Sequence, residues 1–292
     1  MLKFKRILLI GLLVMLVATG CGTKDLTKGK SAQEIIEGTY EKMAQVQNYD
    51  MNLQMQMKME TPEGKLDMTL DGKATIFQKP MLMKMVLQTK DPESGESVAI
   101  EQYMEQTEKG LNVYQKVEEQ WIKMSMNDPS LAEMMNMDPA NNMKIFLENL
   151  KEAKILNQEE KVGEKDTVKI EMAASSEIYE DLMKQMPGMN FSQANMPFGP
   201  EFLSKMGDIK YVLWIDKLTL ETVKTSMDLT ENIQNLGKAL VDSGTVPKEL
   251  AGIFAGMEMS ASYEIYNLDT AEKFEIPEEA KNGQEIPVPG VN

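Results

Sequence analysis

The spacing of apolar residues changes along this chain, and each change marks an element. Over 51–59 every odd position is apolar and every even position polar, giving MNLQMQMKM. A period of two is the pattern of a strand with one face turned inward. After the turn Thr61-Pro62-Glu63-Gly64 it continues on Leu66, Met68, Leu70, Gly72, Ala74 and Ile76. Lys79-Pro80 breaks the run, and Met81, Met83, Met85 and Leu87 form the next stripe. Asp91-Pro92-Glu93-Ser94-Gly95 has turn composition. Strands over 98–104, 111–116 and 120–126 follow, so the pattern predicts a meander of six antiparallel strands.

Helical spacing flanks this meander. Ser31-Ala32-Gln33-Glu34 forms a capping box, and Ile36, Tyr40 and Met43 then recur on one face, predicting a helix over 32–47. Asp128-Pro129 and Asp138-Pro139 each place proline in a first helical turn, predicting short helices over 130–135 and 140–150. A strand over 168–172 and a helix over 177–186 come next. Residues 187–200 (PGMNFSQANMPFGP) form a long Gly/Pro/Asn-rich loop. The strand 209–216 turns through Leu218-Thr219-Leu220 into a partner ending at Leu229. Helices over 233–241 and 247–254 lead to a strand over 257–266, with Met257, Met259, Ala261, Tyr263 and Ile265 on one side. The tail from Ile276 is polar and extended. With no internal repeat and no linker, 31–292 is expected to be one domain.

Residues 1–20 stand outside that domain. Lys3, Lys5 and Arg6 precede an apolar run over 7–17, which is too short for a comfortable membrane span. Val17-Ala18-Thr19-Gly20-Cys21 then resembles a bacterial lipobox, with Ala18 where leucine is usual. That resemblance implies a signal peptide cleaved before Cys21, a diacylglyceryl anchor on Cys21, and a tether over 21–30. The implied location is the extracytoplasmic face of the cell membrane. Two acyl chains give stable anchoring where one does not.

Composition narrows the chemistry. The chain has 292 residues, 42% of them hydrophobic and 26% charged, with a net charge of −15. Loss of the leader makes that about −18. Such a chain lacks the clustered Lys and Arg that nucleic acid requires. It has no histidine, and its one arginine is Arg6 in the leader. The commonest general base, the commonest metal ligand and the bidentate phosphate clamp are therefore missing. Cys21 is the only cysteine, which rules out an intrachain disulfide. Glu118-Glu119, Glu159-Glu160 and Glu278-Glu279 read as solvated charge runs. No nucleophile elbow, phosphate loop, calcium loop or zinc spacing is present. The expectation is a protein that is not an enzyme and uses no cofactor.

Methionine is the unusual feature, at 27 residues. One reading is plain core packing, since the methionines fall on the inward parity. A second uses the adaptability of an unbranched, polarizable side chain, which suits a wall that must accept variable apolar shapes. On that reading Met55, Met57, Met59, Met68, Leu70, Met83, Met85, Met227, Met257 and Met259 line a ligand cavity. A third is soft-metal binding, because thioethers suit Cu(I). Side chains two residues apart on one strand are roughly 7 Å apart, however, too far for three to share an ion. The spacing along each strand predicts no metal site.

The order of elements carries a further resemblance. A lipobox, a tether, one amphipathic helix, a long meander with helical insertions and the hairpin Val212-Leu213-Trp214-Ile215-Asp216-Lys217-Leu218-Thr219-Leu220 are similar to the LolA/LolB-like lipoprotein carriers. The same holds for their LppX/LprG-like mycobacterial relatives and the LolA-like lipoproteins of Gram-positive bacteria. The resemblance spans roughly 31–266. It implies an α+β fold, a curved antiparallel β-sheet or incomplete β-barrel, with helices covering the concave face. It also implies a lipid or other apolar ligand between sheet and helices, under a lid from 128–150, 177–205 and 233–254. The mature chain has no arginine, unlike the carriers that work between two membranes, and its lysine-only, anchored form fits a Gram-positive surface. The other reading of the same fold is a structural or interaction lipoprotein with a filled core.

Overall fold

The computed structural model describes residues 24–61, 64–90, 97–126, 139–179, 181 and 200–286. The leader, Cys21, the predicted helix at 130–135 and the loop 187–199 lie outside the described residues, as does most of the predicted helix 177–186.

The chain opens with α1 (Ala32–Met43), then runs β1 (Asn48–Thr61), β2 (Gly64–Gln78), β3 (Met81–Lys90), β4 (Ser97–Thr107), β5 (Gly110–Val117) and β6 (Gln120–Met126). After α2 (Pro139–Glu148) come β7 (Leu150–Val162), β8 (Lys165–Ala174), α3 (Pro200–Leu203), β9 (Ile209–Asp216) and β10 (Thr222–Asp228). Then follow α4 (Thr230–Asp242), α5 (Ala251–Ala255), β11 (Glu258–Tyr266), α6 (Glu278–Lys281) and β12 (Gln284–Glu285).

Among the described residues all strands join one open sheet, ordered β12-β6-β5-β4-β3-β2-β1-β11-β10-β9-β8-β7. Every pairing is antiparallel except β12 with β6. The fold is the α+β class that the resemblance implies, a curved sheet with α1 and α2 on its concave side and α6 on the other. The meander β1–β6 is joined to the later strands through its first strand, since β1 pairs with β2 on one side and β11 on the other.

Register carries the alternation across the sheet. Met172, Tyr211, Met227, Ala261, Met55 and Leu70 stand opposite one another on six successive strands. Beside them runs the row Ile170, Leu213, Thr225, Tyr263, Leu53 and Gly72. On β1 the odd positions 55, 57 and 59 are half-buried while Gln54, Gln56, Lys58 and Glu60 are exposed. A one-residue slip would reverse this, so the apolar stripe fixes the register.

Two cores lie on the concave side. One packs Ile35 and Ile36 of α1 and Ile145 and Phe146 of α2 against Val168, Ile170 and Ile215. The other packs Met43 at the end of α1 against Ile76, Met81, Met83, Met104 and Val113 of the meander. A smaller cluster holds the C-terminal segment, with Ile276 and Ala280 on Tyr103 and Tyr114. Ser31 caps α1 as its sequence predicts: its hydroxyl accepts from Glu34 N–H at 3.3 Å, and the Glu34 carboxylate accepts from Ser31 N–H at 2.8 Å.

Four elements differ from the spacing-based expectation. The first helix ends at Met43 rather than 47, because Val46 is needed in the core and Gln47 N–H is taken by Asp269. The strand β7 was not expected: it is an edge strand whose sequence, LKEAKILNQEEKV, is mostly charged and shows weak alternation. The helix expected over 247–254 is a 3-10 turn and the five-residue α5, bounded by Gly256. The tail is not wholly extended, since α6 and β12 tie it to the β6 edge.

Candidate functional site

A cavity of about 440 Å³ lies where the two cores meet. Its floor is the sheet, through Leu53 and Met55 of β1, Leu213 of β9, Met227 of β10 and Tyr263 of β11. Its roof is helical, through Met43 of α1 and Ile145 and Phe146 of α2. The volume falls within the roughly 300–1,000 Å³ of ordinary ligand sites, and the wall is mainly apolar with a few hydroxyls, as such sites are.

The polar groups on the wall are neutral. Burial pushes the Tyr211 and Tyr263 phenols above their ordinary range, and the Tyr263 shift is partly offset by the neighbouring Thr225 hydroxyl. Tyr179, just beyond the wall, is pushed up to about 12 by burial. These groups stay protonated at neutral pH and can donate or accept hydrogen bonds without bearing charge. Phe146 packs edge-on to Tyr211, with ring centroids 4.1 Å apart, which fixes the roof on the floor. Thr225 Oγ1 is a buried atom with no hydrogen bond of good geometry among the described residues. The Tyr263 phenol beside it is a weak partner, and an incompletely paired buried hydroxyl costs up to roughly 1–3 kcal/mol.

A second depression, about 450 Å³, lies on the opposite face of the sheet. Asn52, Gln54, Asp71, Lys73, Lys224 and Glu264 line it. An apolar ligand there would strip water from charges and amides and return nothing to them. The concave cavity is therefore the candidate site.

The ten residues expected to line a cavity are distributed as follows. Met55 and Met227 are on the wall. Leu70 stands beside Met55 in its row but is not on the wall. Met57, Met68 and Met259 form the next row outward, Met59 lies two residues further along β1, and Met257 precedes β11 without joining the sheet. Met83 is a core residue, 2% exposed, facing Ile76 and Met104 on its two neighbouring strands, and Met85 packs against that core.

The sequence reading missed Tyr211, Phe146, Ile178 and Thr225 as wall residues. Tyr211 lies in the continuous run IKYVLWID, where parity is unreadable. Tyr263 was legible, because it shares the inward side of β11 with Ala261. The Trp-Ile-Asp segment of the late hairpin proves to be structural. Trp214 Nε1 donates to Glu160 Oε1 at 2.8 Å, and Lys169 Nζ sits 4.7 Å from the Trp214 ring. Asp216 Oδ1 accepts from Leu218 N–H at 2.8 Å and shapes the turn. Leu220, at φ 60°, then packs on α1, so that a β-carbon at Gly38 would meet it at 3.0 Å.

The comparisons with known proteins come to the following. A family model described as a family of unknown function, DUF6612, matches residues 31–285. No curated protein matches the sequence. Among solved structures the chain is similar to LprF from Mycobacterium bovis, at 13% identity over 85% of this chain and 97% of that one, TM-score 0.44. It is similar to the lipoprotein LppX from Mycobacterium tuberculosis at 11% identity, over 84% and 98% of the two chains, TM-score 0.46. A LolA superfamily protein from Nitrosomonas europaea matches at 11% identity, over 86% and 97%, TM-score 0.23. These are the groups that the hairpin and the order of elements resemble. All three TM-scores are below 0.5, so the cavity itself has to carry the function.

Proposed function

The chain belongs to DUF6612, a family of unknown function, and we propose that it is a lipid-anchored extracytoplasmic binding protein that takes an apolar ligand into the cavity between sheet and helices. The observation that carries this is the cavity: about 440 Å³ at the seam of two cores, walled by Met, Leu, Ile and neutral Tyr. Burial of an acyl chain there would contribute about 0.8 kcal/mol per methylene. Part of that is lost to the entropy of association. Met43, Met51, Met55 and Met227 on the wall adapt to chains of different shape. The Thr225 hydroxyl and the tyrosines hold an ester or carboxyl oxygen of the same ligand. The role is binding or hand-over without catalysis, for which the protonated tyrosines and apolar wall are suited.

Residues 31–292 act as one domain, and Cys21 carries the diacylglyceryl anchor. It lies four residues before Asp25, whose carboxylate is 3.9 Å from Lys217 Nζ at the β9–β10 turn. Asp25 and Leu26 therefore meet the sheet at the end where β1 begins, where Leu26 N–H also donates to Lys217 O at 2.7 Å. Among the described residues no helix is long and apolar enough to cross a membrane.

Native mass spectrometry of the protein purified from bacteria tests the reading. The expected result is excess mass that extracts into organic solvent as lipid. A clean apo mass, unchanged after incubation with lipid, would leave the alternative of a filled-core interaction protein.

A further inference from the structure

Thioethers two residues apart on one strand are too far apart to share an ion, but the sheet brings others together from different strands. Met57 on β1 stands directly opposite Met68 on β2 and directly opposite Met259 on β11. Directly opposite residues on paired antiparallel strands have β-carbons about 4.5–5.5 Å apart. Three methionines thus form a row across three adjacent strands, on one face. All three are half-buried, which leaves the row partly screened from water yet reachable. None of them belongs to the cavity wall.

The surroundings suit a soft cation. Alternation turns Lys58, Asp67 and Glu258 to the opposite face, where Lys58 Nζ and Glu258 Oε2 are 3.2 Å apart. No ammonium group from these strand positions therefore shares the methionine face. Methionine is unbranched with three side-chain torsions, so the outer two can lean over the central one. Met59, two residues along β1 from Met57, offers a fourth sulfur roughly 7 Å away.

We propose that Met57, Met68 and Met259 form a binding site for one soft monovalent cation, Cu(I) or its surrogate Ag(I), through three thioether sulfurs. Thioethers select Cu(I), whereas Mg²⁺ and Ca²⁺ require oxygen ligands and Zn²⁺ prefers thiolate or imidazole. The site is separate from the cavity and does not depend on the cavity holding a lipid.

The test is an Ag(I) titration of Cys21→Ser protein carrying ¹³C-methyl methionine, so that no thiol competes. The methyl signals of Met57, Met68 and Met259 are expected to shift together and saturate at one equivalent, while those of Met83 and Met172 stay in place. In competition with a chromophoric Cu(I) chelator, Met57→Leu should weaken binding at least tenfold and Met83→Leu should not. Met57→Leu should leave uptake of an apolar probe unchanged, since leucine keeps the face apolar, which separates this proposal from the cavity reading. Shifts spread over many methionines without saturation, no shift at all, or full affinity in Met57→Leu would each overturn it.

Discussion

Beneath β8 and β9 the concave face rests on Val168, Ile170 and Ile215 with Ile35 and Ile36 of α1, each 1% exposed or less. Beneath the meander the same depth is held by Met43, Met81, Met83 and Met104, with Met51, Met85, Met124 and Met126 at the margin. Both are cores, but the first is dominated by isoleucine and valine and the second mixes methionine with them in equal number. β-Branched side chains have few rotamers and pack one way. Methionine has three torsions and a soft sulfur, so it fills irregular space and tolerates change. The cavity lies where the stiff core meets the adaptable one, with Ile145 and Ile178 on one flank and Met43 and Met51 on the other. A stiff flank fixes the shape of a ligand site, and an adaptable flank widens what it accepts.

Truncation in the stiff half should have the largest effect. Ile170→Ala leaves a void among residues that cannot relax into it, and is expected to cost about 2–5 kcal/mol in urea unfolding. A loss below about 1 kcal/mol would show that this core is not stiff. Next comes Ala261→Phe, which points a ring into the cavity from β11. In a filled core such overpacking costs about 1–3 kcal/mol. Into open space the change in stability should stay within about 1 kcal/mol, measured by the same unfolding curve. Met83→Leu keeps volume in the adaptable half and should cost less than about 1.5 kcal/mol.

The smallest effect concerns the joint between β10 and α4. Asp228 Oδ1 accepts from Thr230 N–H at 3.0 Å, and its hydrogen bonds to the Thr230 hydroxyl and N–H lower its pKa from the ordinary 3.8. A lowered folded pKa means a stabilisation present above the unfolded value of 3.8 and lost as pH falls through the folded value. Asp228→Asn should therefore differ from wild type at neutral pH and converge with it in acid. An offset that stays constant from neutral pH into acid would refute this.

How much of this was legible in the sequence depended on period and exposure. The meander was legible because an apolar stripe of period two runs through it, clean from Met51 to Met59 and kept on Met81, Met83, Met85 and Leu87 although Leu82 and Val86 fill positions between. The capping box of Ser31 and Glu34 was legible because it is local. The edge strand β7 was not, since an edge is blunted with charge and its alternation fades. The second neighbour of β1 was not legible either: nothing in 51–59 says that β11, about two hundred residues later, lies beside it. That pairing decides the site. It puts Met55 beside Ala261 on the cavity floor and sets Met57 between Met68 and Met259, while Met83 and Met85, of the same parity on β3, fall into the core.

The most direct test of the cavity is a titration of a fluorescent single-chain fatty-acyl probe into delipidated protein, with Ala261→Phe alongside. The account predicts saturable one-to-one binding that weakens at least tenfold in Ala261→Phe while both proteins remain folded by circular dichroism. Absence of saturable binding, or equal binding by the two proteins, would contradict it.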